Sequence, residues 1–474
     1  MVGKHVRDVQ REDSGMLRDV AGMAKLWGKG NQMVYDYKND KRFEGIIPLK
    51  TKTVLSSPTM HGEEMKYMQE AYQSGWMTTV GENINRLEEE IADFVGMNYA
   101  VGLSCGTAAL HLAVKLAAEK LYGSSSGLST PSGLGSGGSL KGIRVFCSDV
   151  TFDATVNPIL YEGGEPVFID SEADTWNMSP QALEQAFGIY PEVRLVVLVH
   201  LYGTPAKIDE IRKICSDHHA LLIEDAAESF GATYKGRQTG SFGDYGVISF
   251  NGNKIITGSS GGMLLAGDGY SANKARKWST QSREAAPWYE HEELGYNYRM
   301  SNVIAGVVRG QLPYLGEHIE KKREIYERYE EGLKGLPVKM NPFDSAVSQP
   351  NWWLSCLIID GDSMCKAERS ARSSAWEREK GKSCPDEILE ALKCFGAEGR
   401  PVWKPMHLQP MYRNHGFVTA EGFGRGNSNA YAEGVGCRDV ATDLFNRGVC
   451  LPSDVKMIKE QQDVVIEVVR RCFE

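Results

Sequence analysis

Positive charge is in deficit along this chain. Against 62 aspartates and glutamates the 474 residues set 53 lysines and arginines, a net charge of −9. That argues against a nucleic-acid partner, which needs a basic face to neutralise phosphate. No apolar run approaches the ~18 residues of a membrane span, so no embedded helix is expected. The ten cysteines stand at 105, 147, 215, 356, 365, 384, 394, 437, 450 and 472, none in CxxC spacing. Such scatter in a long chain predicts reduced packing cysteines of a cytoplasmic protein, without disulfides or a metal site. The first residues mix acids and bases and lack the apolar stretch of a secretory signal. What remains is a soluble enzyme-like chain, 42% hydrophobic, too long for one core and expected to form two domains.

What is present centres on residues 247–265, VISFNGNKIITGSSGGMLL. This reads as an apolar strand, a tight turn carrying Lys254, and a second apolar strand. Glycines around a single lysine mark a close backbone approach. Apolar flanks partly desolvate an amine and make it a usable nucleophile. Two further stretches complement it. Residues 221–231, LLIEDAAESFG, form a strand ending in Asp225, and 101–116, VGLSCGTAALHLAVKL, read as strand, Gly-Thr turn and helix. The free N–H groups of Gly106, Thr107 and Ala108 at that helix start favour a phosphate. A lysine, a strand-end carboxylate and a phosphate-ready helix are the set that pyridoxal 5'-phosphate chemistry requires.

Around these stretches strands and helices alternate. Strands are expected at 99–104, 144–147, 166–170, 195–201 and 221–225, helices at 107–119, 155–161, 180–187 and 207–218. This implies an α/β fold with a mainly parallel sheet and ligands bound beyond its C-terminal strand ends. The boundaries read as an accessory tail over 1–45, a large domain over 46–335, closed by a helical stretch at 301–333, and a smaller C-terminal α+β domain over 336–474. A Ser/Gly-rich segment, 123–142, is expected to be a flexible insertion. Its Gly133, Gly135 and Gly138 fit G-x-G-x-x-G, yet no strand leads into them as a dinucleotide site demands. A nicotinamide-dependent sugar oxidoreductase, resting on those glycines, is the weaker alternative.

Six segments in order, SCGTAALHLA, TFDATVNPI, LIEDAAESFGATYKG, SFGDYGVISFNGNKIIT, GYNYRMSN and RPVWKPMH, resemble the DegT/DnrJ/StrS sugar-nucleotide aminotransferases, a group of fold-type-I pyridoxal phosphate enzymes. The resemblance implies a homodimer that moves an amino group from an amino acid, glutamate being the expected donor, to a nucleotide-linked 4-keto-6-deoxy sugar by way of pyridoxamine phosphate. It makes Lys254 the Schiff-base lysine and Asp225 the partner of the pyridine nitrogen. It places Glu228 near the ring oxygen, Phe152 against the ring, and Ser249 with Gly106, Thr107 and Ala108 at the phosphate. Asn297 of GYNYRMSN, with Arg299 beside it, is expected to reach the neighbouring subunit's cofactor. Thr79 in the turn at 76–81, and Lys404 and His407 in KPMH with Arg400 just before them, are expected to face the sugar nucleotide. SFNGNKIIT and RPVWKPMH look most like the branch that aminates UDP-linked 4-keto-6-deoxy-N-acetylglucosamine. In sugar dehydratases of the same group a histidine replaces the lysine, so Lys254 speaks against that alternative.

Overall fold

The computed structural model describes residues 35–123, 139–369, 374–422, 424–425 and 439–474. Seven strands of the large domain come in chain order: β1 (Tyr99–Leu103), β2 (Arg144–Ser148), β3 (Glu165–Ile169), β4 (Leu195–Val199), β5 (Leu221–Asp225), β6 (Tyr245–Ser249) and β7 (Gly262–Ala266). They lie side by side as β1-β7-β6-β5-β4-β2-β3. All neighbours are parallel except β7, which runs against both β1 and β6. Every residue of β4, LVVLV, is buried, as expected for a strand covered on both faces. The period-2 alternation is clean: Val145 and Cys147 of β2 join one core layer and Phe146 the opposite one. Helices α1 (Glu63–Ser74) and α2 (Glu82–Val95) precede the sheet, and α3 (Gly106–Tyr122) follows β1. Helix α3 lies against β6 and β7 in the first core layer.

The small lobe is built on an antiparallel sheet, β8 (Val338–Met340), β9 (Cys356–Ile359) and β10 (Arg400–Pro401) with a later strand, Gly448–Cys450, between the last two. Three boundaries read from the sequence shift. Tyr37 and Phe43, expected in an accessory tail, are buried in the core of this lobe, where the Phe43 ring stacks on Phe395 at 5.6 Å. Residues 1–34 lie outside the described region. Strand β11 (Gly416–Val418), expected in the small domain, instead extends the large sheet in parallel with β3, carrying Phe417 into the large core. At the insertion, 124–138 lie outside the described residues, but its end is packed: Leu140 is buried and the Ser139 N–H donates to Glu162 at 2.8 Å.

The helical stretch at 301–333 also divides. It forms Asn302–Gln311, a 3-10 turn at Leu312–Tyr314 and Leu315–Gly332. Pro313 sits in that turn; its ring clashes with the carbonyl four residues back and it has no N–H to donate, so one continuous helix cannot pass through it. A cluster of Val150, Val199, Leu201 and Tyr202 with Trp353, Leu354, Val402 and Leu444 ties the two lobes together directly under the strand ends.

Because the 35–49 segment belongs to a core, truncating its anchor costs stability. Phe43→Ala is expected to destabilise the protein by about 3 kcal/mol, in the range for a buried aromatic lost from a packed core. A lowered urea midpoint checks this; an unchanged midpoint would return the segment to the status of a tail.

Candidate active site

A cavity of ≈ 400 Å³ opens where the C-terminal ends of β5 and β6 meet the start of α3 and the inter-lobe cluster. Gly106, Thr107, Phe152, Asp225, Glu228, Ser249 and Lys254 all line it. Gly106 sits in close approach: a side-chain carbon there would lie 3.1 Å from Ser249 Cβ, tight enough that Ser249 would have to give way slightly. Gly262 likewise lets β7 press on the N-cap, since a Cβ would come within 2.4 Å of the Cys105 carbonyl carbon. The Cys105 Sγ caps α3 by accepting from the Ala108 N–H at 3.4 Å. The Gly106 and Thr107 amides, with no acceptor inside the helix, remain at the cavity wall. Ala108 supplies nothing to the cavity, a correction to the sequence reading: its amide is taken by the sulfur and its side chain is in the core.

Asp225 is buried at the floor. The Thr155 hydroxyl donates to its Oδ2 at 2.7 Å and the Ala227 N–H to its Oδ1 at 3.1 Å. Burial pushes this carboxyl up from its ordinary value, and these two donors and Lys254 oppose the rise. Its neighbour along β5, Glu224, performs a scaffold task instead. It is fully buried and accepts from the Gly240, Phe242 and Gly243 amides and from His200. The Lys254 ammonium lies 3.6 Å from Glu228 Oε1 and 4.1 Å from the centre of the Trp353 ring. Glu228 Oε2 accepts from the Tyr202 N–H at 2.7 Å. Tyr202 holds this pose at φ +53°, a strained backbone of the kind that gathers at working sites.

The small lobe contributes what the sequence reading missed. The Trp353 indole N–H donates to the Asn253 carbonyl at 2.8 Å, pinning the turn that carries Lys254. The Trp353 carbonyl is itself held by the buried Lys322 ammonium at 2.9 Å. Trp403 also lines the cavity, its backbone N–H donating to the Tyr202 hydroxyl at 3.0 Å and its ring 5.7 Å from Phe152. Phe152 is 61% exposed, so its face is presented to the cavity and not to a core. The WW and VW doublets were the available signal, but a tryptophan beside apolar residues reads equally well as packing.

Other expected residues lie elsewhere. His407 is fully buried: its Nδ1 contacts Asp149 Oδ2 at 2.6 Å, its Nε2 meets Thr442 at 3.4 Å and its ring stacks on Phe417 at 3.9 Å. It locks the KPMH segment onto the large sheet and does not reach the cavity. Lys404 and Thr79 are absent from the cavity lining. The Thr79 turn is instead fixed by Asn302, which bonds the Thr78 and Trp76 carbonyls. Arg400 pairs with Glu398 at 2.8 Å. Arg299 is held by Glu88 and the Gly102 carbonyl, and Asn297 is exposed on the surface of the single chain. The glycine motif at 133–138 lies outside the described residues. Among those described, no cluster of metal-binding side chains occurs, no helix is long and apolar enough to cross a membrane, and nine cysteines are free. A second cavity, of ≈ 370 Å³ beside Tyr37 and Trp376, has its arginines engaged: Arg42 with Asp40 and Glu387, and Arg378 with Asp40.

A primary amine, a buried carboxylate, and a helix N-terminus beside two hydroxyls fit a planar phosphorylated aldehyde, pyridoxal 5'-phosphate. Fold and site together are those of a fold-type-I pyridoxal phosphate aminotransferase. Solved structures agree on the fold. The Helicobacter pylori aminotransferase PseC superposes with a TM-score of 0.72 at 19% identity, covering 89% of this chain and 99% of its own. The PLP form of the candidate sugar aminotransferase Spr1654 of Streptococcus pneumoniae gives 0.70 at 20% identity, covering 88% and 97%. Among sequences, EpsN of Bacillus subtilis (strain 168), a candidate pyridoxal phosphate-dependent aminotransferase, is 42% identical over 429 residues, 89% of this chain and 96% of its own. GDP-perosamine synthase of Escherichia coli O157:H7 is 30% identical over 416 residues, covering 88% and 97%. Residues 58–470 match the DegT/DnrJ/EryC1/StrS aminotransferase family, and the chain belongs to it.

The buried His407 gives a pH prediction. Burial alone would lower its imidazole, but the Asp149 carboxylate raises it above the ordinary 6.5 on balance. A folded-state value above the unfolded one stabilises fully below 6.5 and loses that stabilisation as pH rises through the raised value. The melting temperature of wild type relative to His407→Gln is therefore expected to fall as pH rises above that point. A difference independent of pH would show that the imidazole does not titrate with folding.

Proposed function

We propose that this enzyme transfers an amino group from an amino acid, with glutamate as donor, to a nucleotide-linked 4-keto-6-deoxy sugar. The observation that carries the chemistry is the Lys254 ammonium held between Glu228 and the Trp353 face, across a cavity floored by Asp225. When bound, pyridoxal phosphate supplies an electrophilic carbonyl and an electron-accepting ring that carries the amino group between half-reactions. Lys254 is the nucleophile and the base that moves a proton at the reacting carbon. Asp225, oriented by Thr155 and Ala227, holds positive charge on the ring nitrogen. The Gly106 and Thr107 amides and the Ser249 and Thr107 hydroxyls hold the phosphate, and Phe152 offers a flat face to the ring.

The sugar-nucleotide assignment draws on the relatives' names, which include a GDP-sugar enzyme and a structure determined with its TDP-sugar product. The SFNGNKIIT and RPVWKPMH segments favour the UDP-linked 4-keto-6-deoxy-N-acetylglucosamine acceptor. Charge supports a two-subunit site. Among the described residues lining the cavity, Lys254 is the one basic side chain against two carboxylates, too little for a cofactor phosphate and a diphosphate together. Tyr296 and Tyr298 stack on each other at 4.8 Å and both pack on His111. Alternation along this extended segment turns the intervening Asn297 outward, where a partner subunit's site can receive it. Exposed Tyr72, Trp76, Trp288 and Tyr289 supply apolar surface for such an interface.

Lys254→Ala is expected to lower turnover by at least on the order of 10²-fold with the fold retained by circular dichroism; wild-type turnover in the variant would remove Lys254 from the reaction. Mixing Lys254→Ala with Asn297→Ala chains is expected to restore activity, because one of the two sites then has both residues intact. A fully active monomer would rule out the shared site. For the substrate, the loaded enzyme is bleached with glutamate, freed of donor and offered candidates. Return of the visible band with a UDP-linked 4-keto-6-deoxy sugar supports the assignment. Return with GDP- or TDP-linked acceptors alone moves the nucleotide, and return with simple keto acids alone rejects the sugar.

A further inference from the structure

The Lys254 turn is held from behind as well as from the cavity. On the helix Leu315–Gly332, His318 and Lys322 stand one turn apart on the same face, and both are buried. The His318 Nδ1 lies 2.7 Å from the Ile255 carbonyl, one residue after Lys254. The Lys322 ammonium donates to the Trp353 carbonyl at 2.9 Å and to the Ser453 carbonyl at 2.8 Å. Trp353 passes that hold on. Its indole N–H donates to the Asn253 carbonyl, one residue before Lys254, and its ring covers the ammonium. The carbonyls on either side of Lys254 therefore trace back to one helix face. We infer, on the reading that Lys254 is the reacting amine, that His318 and Lys322 are its positioning residues, fixing where the amine stands over the cavity.

The chemistry of both groups supports a directed role. A carbonyl only accepts, so the His318 Nδ1 carries the proton. Burial lowers the pKa of this imidazole, and the neutral ring has Nε2 left to accept from the His61 Nε2–H at 2.8 Å. His61 is itself stacked on Tyr314 at 3.8 Å. With both nitrogens engaged, the His318 ring is fixed on Ile255. Lys322 meets two carbonyls where a buried ammonium ordinarily meets a carboxylate. Asp454 attracts it through space, but the Asp454 oxygens take the Ser57 hydroxyl and the Lys456 N–H. Burial pushes Lys322 down to about 7. The neutral amine keeps two N–H groups for the same two carbonyls, so the hold survives in either state. Well-packed apolar side chains often replace buried charges without loss of stability; a charge kept here points to a functional constraint. The cleft between this helix face and the turn measures only ≈ 10 Å³, too small for a ligand, so the contact is a support and not a second site. Placement matters because a shift of about 1 Å at a reacting group costs on the order of 10²-fold in rate.

Wild type, His318→Leu, His318→Asn and Lys322→Met are each loaded with pyridoxal phosphate, and the bleaching of the visible band by glutamate is timed. Leucine and methionine fill the space without a donor; the asparagine amide keeps an N–H for Ile255. The maximal bleaching rate is expected to fall on the order of 10-fold or more in His318→Leu and Lys322→Met, with the half-saturating glutamate concentration unchanged, and to recover in His318→Asn. The substitutions are then repeated in Lys254→Ala, with free methylamine supplied in place of the lysine amine. There they are expected to leave the methylamine-supported rate unchanged, because no tethered amine remains to be placed, whereas a purely structural defect persists. An equal loss in both backgrounds overturns the inference, as do wild-type rates in His318→Leu and Lys322→Met. If Lys322→Met does not fold, or methylamine supports no bleaching, the His318 pair decides: matching losses in His318→Leu and His318→Asn overturn it. If His318→Leu does not fold, Lys322→Met in the two backgrounds decides. A wild type without a visible band, or a Lys254→Ala chain that keeps the wild-type rate unaided, overturns the reading of Lys254 instead.

Discussion

One half-buried ammonium organises this protein. Lys254 lies within 3.6 Å of one carboxylate, shares a cavity with another and is covered by an indole face. A charge out of water is tolerated only where partners surround it, so each neighbouring element is fixed by the need to supply one. The strand end at Asp225 gives the floor, the turn after it gives Glu228, and the Trp353 ring gives a cation–π contact. At Gly262, and more mildly at Gly106, a side-chain carbon would crowd the atoms facing it, so the strands around the lysine turn and the start of α3 approach closely there.

That requirement explains why the lobes cannot be separate bodies. Trp353 and Trp403 reach the cavity from the segments that lead into β9 and out of β10, and Tyr202 of the large domain bonds one and packs against both. The chain reinforces the junction by sending β11 back to the edge of the large sheet. The buried His407–Asp149 pair lies just before that return. In this arrangement a histidine expected from its Lys-Pro-Met-His string to face the sugar nucleotide is a bolt between layers. Its two ring nitrogens and its stacked face are all engaged within the protein.

Much of the cavity lining was legible because its signals are local. The strand–turn–strand around Lys254, the Asp225 strand end and the Gly106–Thr107 helix start each occupy fewer than twenty consecutive residues. Hydrophobic periodicity and turn chemistry act over that range. Ala108 was misplaced by a local detail, the Cys105 sulfur that takes its amide. Thr155, Trp353 and Trp403 were not legible as residues of the cavity lining. Each reaches the cavity through packing between segments far apart in the chain, and a tryptophan in an apolar run carries no mark of which surface it will cover.

The sequence by itself determined the alternating α/β order, the lysine in its glycine-rich turn and the carboxylate at its strand end. All follow from the pattern of neighbours along the backbone. Only the tertiary structure decided that Tyr37 and Phe43 complete the small lobe, that Gly416–Val418 joins the large sheet, and that Glu228 divides its two oxygens between Tyr202 and Lys254. The physical reason is range. Backbone geometry and periodicity bind residues a few positions apart. Burial and charge pairing instead select partners by shape and polarity across the whole chain, and leave no trace in the spacing of either partner alone.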